Sequence, residues 1–322
     1  IAAVNDAPAF TVGVSQTVAE DAGAQTLPAW VTGISAGPSD EAAQAVAFIV
    51  TDNTNESLFA VGGAPAVAAD GTLAYTPDAD ANGSATLTLV AKDNGGGADT
   101  SAAQTFTITV TPVNDAPSFA KGADQVVEED CGVIAVSGWA TALSEGPANE
   151  ASQQLAFRVS SDNSALFTAG GQPAVSATGA LTFTPAPNAN GAATVTLYVQ
   201  DDGGATATGD VDISPAQTFT ITVSPVNDAP AFTRGADQTV AEDAGAQSVS
   251  GWATGISAGP ADEAAQALAF EVTGNTNAAL FATGGQPAVS PSGTLTYTPA
   301  QDMYGAATVT LRLTDDGDGA NA

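Results

Sequence analysis

The chain has 322 residues, with 5 Lys plus Arg against 35 Asp plus Glu and no His, for a formal net charge of −30. That balance excludes nucleic acid and anionic lipid as partners, because neither tolerates an acidic surface without bridging cations. The length suits about three β domains of roughly 110 residues each, and a hydrophobic content of 44% argues for packed cores over disorder.

No apolar run approaches the roughly 18 residues that span a bilayer, so no membrane insertion is expected. Cys131 is the only cysteine, which rules out a disulfide framework within the chain and leaves metal as the natural staple. The chain opens at Ile1 with neither an initiator Met nor a signal peptide, and reads as a section of a longer extracellular protein.

Val-Asn-Asp-Ala-Pro-x-Phe occurs at Val4–Phe10, Val113–Phe119 and Val226–Phe232. The spacings are 109 (113 minus 4) and 113 (226 minus 113) residues. A motif recurring at domain length marks linkers in an array, with expected domains at 1–112, 113–225 and 226–322.

Each repeat reads the same way in chain order. A Thr/Val-rich strand ends in acid at Thr17–Asp21, Val126–Asp130 and Thr239–Asp243, and a strand bearing Trp30, Trp139 or Trp252 follows. Next come the loops Gly37–Glu41, Gly146–Glu150 and Gly259–Glu263, each opening on Gly-Pro. They lead into alternating strands at Val46–Val50, Leu155–Val159 and Leu268–Val272. Beyond a Leu-Phe pair and a Gly-Gly turn lie Leu73–Pro77, Leu181–Pro185 and Leu295–Pro299, then the period-2 runs Thr86–Val90, Thr194–Tyr198 and Thr308–Arg312.

An Asp/Gly-rich loop precedes a last strand, Thr105–Val110 or Thr218–Val223. The third repeat ends before that strand, which a continuing chain or another subunit would supply. About seven short alternating runs per repeat, bounded by Gly, Pro, Asn and Asp, predict an all-β chain of three tandem Greek-key sandwiches, joined end to end as an extended array.

The acids fall in three places per repeat. They are the end of the first strand (Glu20, Asp21; Glu128, Asp130), the Gly-Pro loop (Asp40, Glu41; Glu150; Asp262, Glu263) and the loop before the last strand (Asp93; Asp201, Asp202; Asp315, Asp316). The linkers add Asn114, Asp115, Asn227 and Asp228. The loop before the last strand and the linker are expected at one pole of a sandwich, with the Gly-Pro loop of the following domain across the junction. Calcium prefers six to eight hard oxygens of these types. The alternative is a solvated acidic surface of a halotolerant protein. Zinc and copper are disfavoured, with no His and one thiol.

The linker motif, the early Val-x-Glu-Asp and the Asp-Asp-Gly-Gly loop resemble the cadherin-like or Ig-like tandem repeats of giant bacterial adhesins, across all three copies. Those proteins are commonly exported by type I secretion. Cadherins carry a related Asp-x-Asn-Asp-Asn-x-Pro linker, an early Glu and an Asp-x-Asp that together chelate calcium between domains. By that resemblance Glu20, Asp93, Asn114 and Asp115 serve the first junction. Glu128, Asp201, Asp202, Asn227 and Asp228 serve the second. The linker here lacks the leading Asp, and Asp-Glu or Asn-Glu replaces the Asp-x-Asp, so the number of ions per junction is left open.

Seventeen of the 19 aromatics (12 Phe, 4 Tyr, 3 Trp) recur at matching positions, as core packing requires, and only Tyr198 and Tyr304 are unmatched. That leaves too little for a sugar-stacking platform. Catalysis lacks a histidine base, and Cys131 stands where the other copies have Ala22 and Ala244. Acids that recur in every domain behave as structure, unlike a single active site. Asn55 and Asn82 lie in glycosylation sequons that turn chemistry explains equally, and Asp93–Gly97 is not iterated as a β-roll would be. The reading is a non-enzymatic spacer of a bacterial cell-surface or matrix adhesin, its partners the neighbouring repeats. A self-assembling fibre or layer, with other copies as partners, and a carbohydrate- or protein-binding module are the alternatives.

Overall fold

The computed structural model describes residues 4–206 and 209–317. Repeat 1 contains β1 (Ala9–Thr11), β2 (Gln16–Ala19), β3 (Gln25–Leu27), β4 (Thr32–Ser35), β5 (Val46–Asn53), β6 (Ala66–Val67), β7 (Leu73–Tyr75), β8 (Gly83–Asp93) and β9 (Gln104–Thr111). Repeat 2 follows the same plan in β10 (Ser118–Ala120), β11 (Gln125–Glu128), β12 (Ile134–Val136), β13 (Thr141–Ser144), β14 (Ala156–Ser161), β15 (Ala174–Val175), β16 (Leu181–Phe183), β17 (Gly191–Gln200) and β18 (Gln217–Ser224). Repeat 3 has β19 (Ala231–Thr233), β20 (Gln247–Val249), β21 (Thr254–Ser257), β22 (Ala269–Asn275), β23 (Ala288–Val289), β24 (Leu295–Tyr297) and β25 (Val309–Thr314).

The long strands form one sheet per repeat, in the order β2-β9-β8-β5 and β11-β18-β17-β14. Within it β2 runs parallel to β9 and β11 parallel to β18, while the other pairs are antiparallel. A three-stranded sheet, β3-β7-β6 or β12-β16-β15, faces it. Alternation decides the facing. Ala85, Leu87, Leu89 and Ala91 of β8 are fully buried, and so are Val195, Leu197 and Val199 of β17, with exposed or half-buried residues between them. The chain is all-β, with only short 3-10 turns such as Ala148–Glu150 and Ala261–Glu263 as helical pieces among the described residues.

The tryptophans differ from expectation. Trp30 follows a turn after β3 and lies on no strand, because Ala29 takes a left-handed φ of 52°. Its indole still anchors the core. The Trp30 Nε1–H donates to the Val14 carbonyl at 3.0 Å, and the ring meets Phe106 edge-on at 4.5 Å. Trp139 repeats this with Ala123 at 2.9 Å and Phe219 at 4.4 Å. Gly13 is required there, since a Cβ would come within 2.6 Å of the indole.

Repeat 3 departs from the plan. Residues Thr239–Asp243, expected as its first strand, are exposed and form none. The counterparts of this segment, β2 and β11, take their backbone partners from the last strands β9 and β18, and no such strand exists among the described residues of repeat 3. A segment without a ladder partner stays coil.

Candidate metal sites at the repeat poles

A strand that ends at one pole begins at the other, so the loop before the last strand lies opposite the linker that follows it. Eight residues of β9 at about 3.3 Å each separate the two ends by roughly 26 Å. The expectation of a shared pole is therefore corrected. Each of these loops belongs to the N-terminal pole of its own repeat. Asp93 accepts from Asn5 Nδ2 at 3.1 Å, which puts it at the start of repeat 1 and away from the first junction. Asp201 accepts from Asn114 Nδ2 at 3.1 Å and so sits at the first junction, away from the second. At the second junction Asp315 takes that place, accepting from Asn227 Nδ2 at 3.2 Å.

The pole is built the same way three times. The linker Asn is held from both ends: its amide reaches the loop Asp, and its Oδ1 accepts from Gln44, Gln153 or Gln266 at 2.8, 2.7 and 2.8 Å. The next residue, Asp6, Asp115 or Asp228, donates its backbone N–H to Oε1 of Glu41, Glu150 or Glu263 at 2.8, 2.9 and 2.7 Å. The glutamate comes from a Gly-Pro-x-x-Glu turn closed by a hydrogen bond from the Glu N–H to the Pro carbonyl. The loop Asp sits in an Asp-x-Gly turn whose Gly N–H donates to Oδ1 at 2.9, 2.9 and 3.0 Å. Only glycine fits at Gly203, because a Cβ would collide with the Asn114 Oδ1.

In every case at least one carboxylate oxygen is left without a donor. Oε2 of Glu41, Glu150 and Glu263 and Oδ2 of Asp93, Asp115, Asp201, Asp228 and Asp315 are buried and accept no hydrogen bond among the described residues. Glu150 and Asp201 are each 5% exposed and Glu263 is 6% exposed. An orphaned buried acceptor costs about 1–3 kcal/mol, and more when charged. Three such carboxylates at one pole weigh heavily against a domain stability of about 5–15 kcal/mol. The five cationic side chains do not help. The ion pairs among the described residues join Lys92 to Asp99, Arg234 to Asp237 and Arg312 to Glu271, and none of them engages a carboxylate with an orphaned oxygen.

The preceding repeat adds a further layer. Glu20 is 1% exposed, because its Oε1 accepts from the Val113 N–H at 2.8 Å and from Asn149 Nδ2 at 3.3 Å, while Oε2 accepts from Asn82 at 3.1 Å. Its counterpart at the second junction is Glu129, 2% exposed, which accepts from the Val226 N–H at 2.8 Å and from Asn190 at 3.4 Å. Glu128, expected in that place, lies on the outward face of β11 and is exposed, because a strand sends successive side chains to opposite faces. Asp202 is exposed and caps the Gln154 N–H at 2.7 Å, outside the cage.

Asp21, Asp80 and Asp115 bring one carboxylate oxygen each within 4.8 Å of one another. Asp130 and Asn188 stand in the equivalent turn of repeat 2, where the Asn188 N–H donates to Asp130 at 3.2 Å. Asp262 accepts from Asn190 at 2.8 Å across the second junction. The crowding shows in protonation. Burial, then Asp21, Asp80 and Glu20, raise the Asp115 carboxyl above its ordinary range. Burial, then the charges of Asp115, Asp201 and Glu20, raise Glu150 against an opposing hydrogen bond from the Asp115 N–H. Burial, Asp21, Glu20 and Asp78 raise Asp80.

The donor set is all oxygen, so these poles fit a hard divalent cation and offer nothing to a thiophilic one. Sequence reasoning missed Asp6, Asp80, Glu129 and the three glutamines, and noted Glu41 and Asp315 among the recurring acids without assigning them to a junction. The exact recurrence of Glu-x-x-Gln after each Gly-Pro was the signal that would have found the glutamines.

Three segments, residues 5–111, 114–214 and 227–322, match the family model described as bacterial Ig domain. Among solved structures the chain is similar to mouse protocadherin-24 EC1-3, at 16% identity and a TM-score of 0.44, covering 97% of this chain and 99% of that one. It is also similar to the human desmocollin-1 ectodomain, at 14% identity and a TM-score of 0.41, covering 96% of this chain and spanning 61% of that one. No curated protein matches the sequence. Among the described residues no helix is long and apolar enough to cross a membrane. The chain belongs to the bacterial Ig domain family, as three tandem copies of it.

Proposed function

We propose that this chain is a non-enzymatic extender section of a bacterial cell-surface or matrix adhesin, stiffened by calcium at its repeat poles. The observation that carries this reading is the set of buried carboxylate oxygens without donors at each N-terminal pole. At both junctions a buried glutamate of the preceding repeat is tied to the linker itself. Calcium supplies charge neutralisation there, and the chain's own residues supply the rest. Asp115, Glu150 and Asp201 would hold an ion at the first junction, with Glu20, Asp21 and Asp80 from the other side. Asp228, Glu263 and Asp315 would hold one at the second, with Glu129 and Asp130 opposite. Magnesium suits these poles less well, because it keeps its waters and demands a tight octahedron.

An ion held by both repeats restrains the angle between them and stabilises each by mass action on the folded state. Domains of this family are typically extracellular, where calcium is abundant and carboxylates are the cheapest way to recruit it. Small-angle scattering and thermal melting, each with calcium and with chelator, test the reading. Chelation should change the maximum dimension and lower the melting temperature. If neither responds, the poles are a solvated acidic surface only.

A further inference from the structure

The two junctions differ by a paired exchange. Asp80 at the first is Asn188 at the second, and Asn149 at the first is Asp262 at the second. Asp80 and Asn188 come from the upstream repeat, Asn149 and Asp262 from the Gly-Pro turn of the downstream one. Asp80 and Asn149 both border Glu20: Asn149 Nδ2 donates to Glu20 Oε1 at 3.3 Å, and Asn82, two residues after Asp80, donates to Oε2 at 3.1 Å. At the second junction Asn190, two residues after Asn188, donates at 2.8 Å to Asp262 and at 3.4 Å to Glu129.

Local backbone chemistry does not choose between acid and amide here. Asp80, Asn188 and Asp302 share a left-handed φ of 58°, 54° and 52°. Asp and Asn both visit that region readily, so either satisfies the turn. All four exchanged side chains are exposed, so packing does not choose either. What remains is the charge each one faces. With the exchange, the matched positions hold six carboxylates and three asparagines at each junction, beside the shared Gln153 or Gln266; Asp210, which accepts from the Asn114 N–H at 3.1 Å, and Asp78 are further acids at the first. The first has Glu20, Asp21, Asp80, Asp115, Glu150 and Asp201 with Asn82, Asn114 and Asn149. The second has Glu129, Asp130, Asp228, Asp262, Glu263 and Asp315 with Asn188, Asn190 and Asn227. Asp78, outside the Asp21–Asp80–Asp115 group, has Ala186 as its counterpart and is not part of the exchange.

We infer that the junctions are charge-matched interfaces, in which the C-terminal pole of one repeat selects the N-terminal pole that follows by presenting acid to amide or amide to acid. The inference rests on the calcium reading above. A mismatched order would place two exchanged acids, Asp80 and Asp262, around one site, or two amides, Asn188 and Asn149. The first adds a charge to an already anionic pole, and the second removes a ligand. The same rule names the partner of the outward-facing pole of repeat 1. Asp40 occupies the Asp262 place there, so that pole fits a C-terminal pole of the repeat 2 kind, with Asn at the upstream position.

The test uses the whole chain with Asp80→Asn, Asn149→Asp and the two combined, followed by calcium calorimetry and by melting in calcium and in chelator. Asp80→Asn should weaken the sites it affects by about tenfold, as ligand charge count sets calcium affinity. Asn149→Asp alone should lower the melting temperature in chelator and bring no gain in calcium affinity while Asp80 remains, so that the product of the two single effects stays about tenfold below the parent. The combined variant, which recreates the second junction's pattern at the first, should return to within about twofold of the parent affinity. Affinities in the combined variant equal to the product of the single effects would overturn the matching while leaving the calcium reading intact. A parent chain that takes up no calcium would overturn both.

Discussion

Repeats 2 and 3 share a plan and differ in two paired strands, the counterparts of β11 and β18, and the difference separates what each pole needs. Repeat 3 has no strand among its described residues in the place of β18, yet its N-terminal pole is complete, with Asp228, Glu263, Gln266 and Asp315 bonded as their counterparts are. Its other pole is formed only in part: the Asp302 N–H donates to Asp243 at 3.0 Å as Asn188 does to Asp130, but the early Glu is not carried in. Glu242, the counterpart of the buried Glu129, is exposed, and β25 has 6 residues where β17 has 10. The N-terminal pole is thus a local product of linker, Gly-Pro turn and Asp-x-Gly turn. The C-terminal pole depends on the parallel pairing of the first strand with the last, which carries the early Glu to the next linker.

The largest effect should come from making repeat 2 resemble repeat 3. Phe219, on β18, is 3% exposed and packs at a tilt against Trp139. Phe219→Ala should cost about 3–5 kcal/mol in denaturant unfolding of repeat 2. Native-state hydrogen exchange should speed up at Glu129, whose N–H donates to the Ser224 carbonyl at 2.9 Å, while the Asp115 N–H on Glu150 keeps its protection. Equal loss at both poles would show that they are not separable.

The converse experiment repairs repeat 3. A groove of about 1020 Å³, lined by Phe232, Trp252, Leu295, Tyr297 and Leu311, runs where the last strand lies in the other repeats. A peptide with the sequence of Gln217–Ser224 should enter it, pair with β25 and order residues 239–242. At a hundredfold excess over its Kd it would add about 2.7 kcal/mol to the stability of repeat 3. A control peptide with Thr at the Phe219 and Ile221 positions should leave the melting of repeat 3 unchanged. Stabilisation by both peptides would mean backbone pairing alone suffices.

The same contrast explains what the sequence made legible. Period-2 runs and recurring aromatics identified the sandwiches, because alternation and core packing are local signals. The parallel β2–β9 pairing joins the two ends of a repeat, and no local pattern announces it; hence Thr239–Asp243 was expected as a strand. Assigning Asp93 and Asp201 to the wrong junctions has the same origin, since the pole a loop occupies is a property of strand direction. Glu128 and Glu129 are indistinguishable in the sequence, because adjacent acids at a strand end differ only in the face they present. The recurring acids themselves were visible from composition, but the orphaned oxygen on each could emerge only from hydrogen-bond geometry.

The smallest effect is on pH dependence, and it distinguishes a joined pole from an open one. Asp115, Glu150 and Asp80 have carboxyl groups held above their ordinary range, chiefly by burial and then by neighbouring carboxylates. A raised carboxyl in the folded state means that the folded chain binds protons more tightly than the unfolded chain. Its stabilising share is full below the unfolded value and is lost as pH rises through the folded one. In chelator, therefore, the melting temperature of repeats 1 and 2 should rise as pH falls through the raised range toward the ordinary carboxylate values, where protons begin to replace the missing cation. In saturating calcium the slope should reverse, because protons and calcium compete for the same oxygens. The C-terminal pole of repeat 3, with Glu242 exposed, faces no such cluster, so repeat 3 should show the weaker response. A trend of the same sign in chelator and in calcium would mean that the raised carboxyls of the first junction are not where the ion binds.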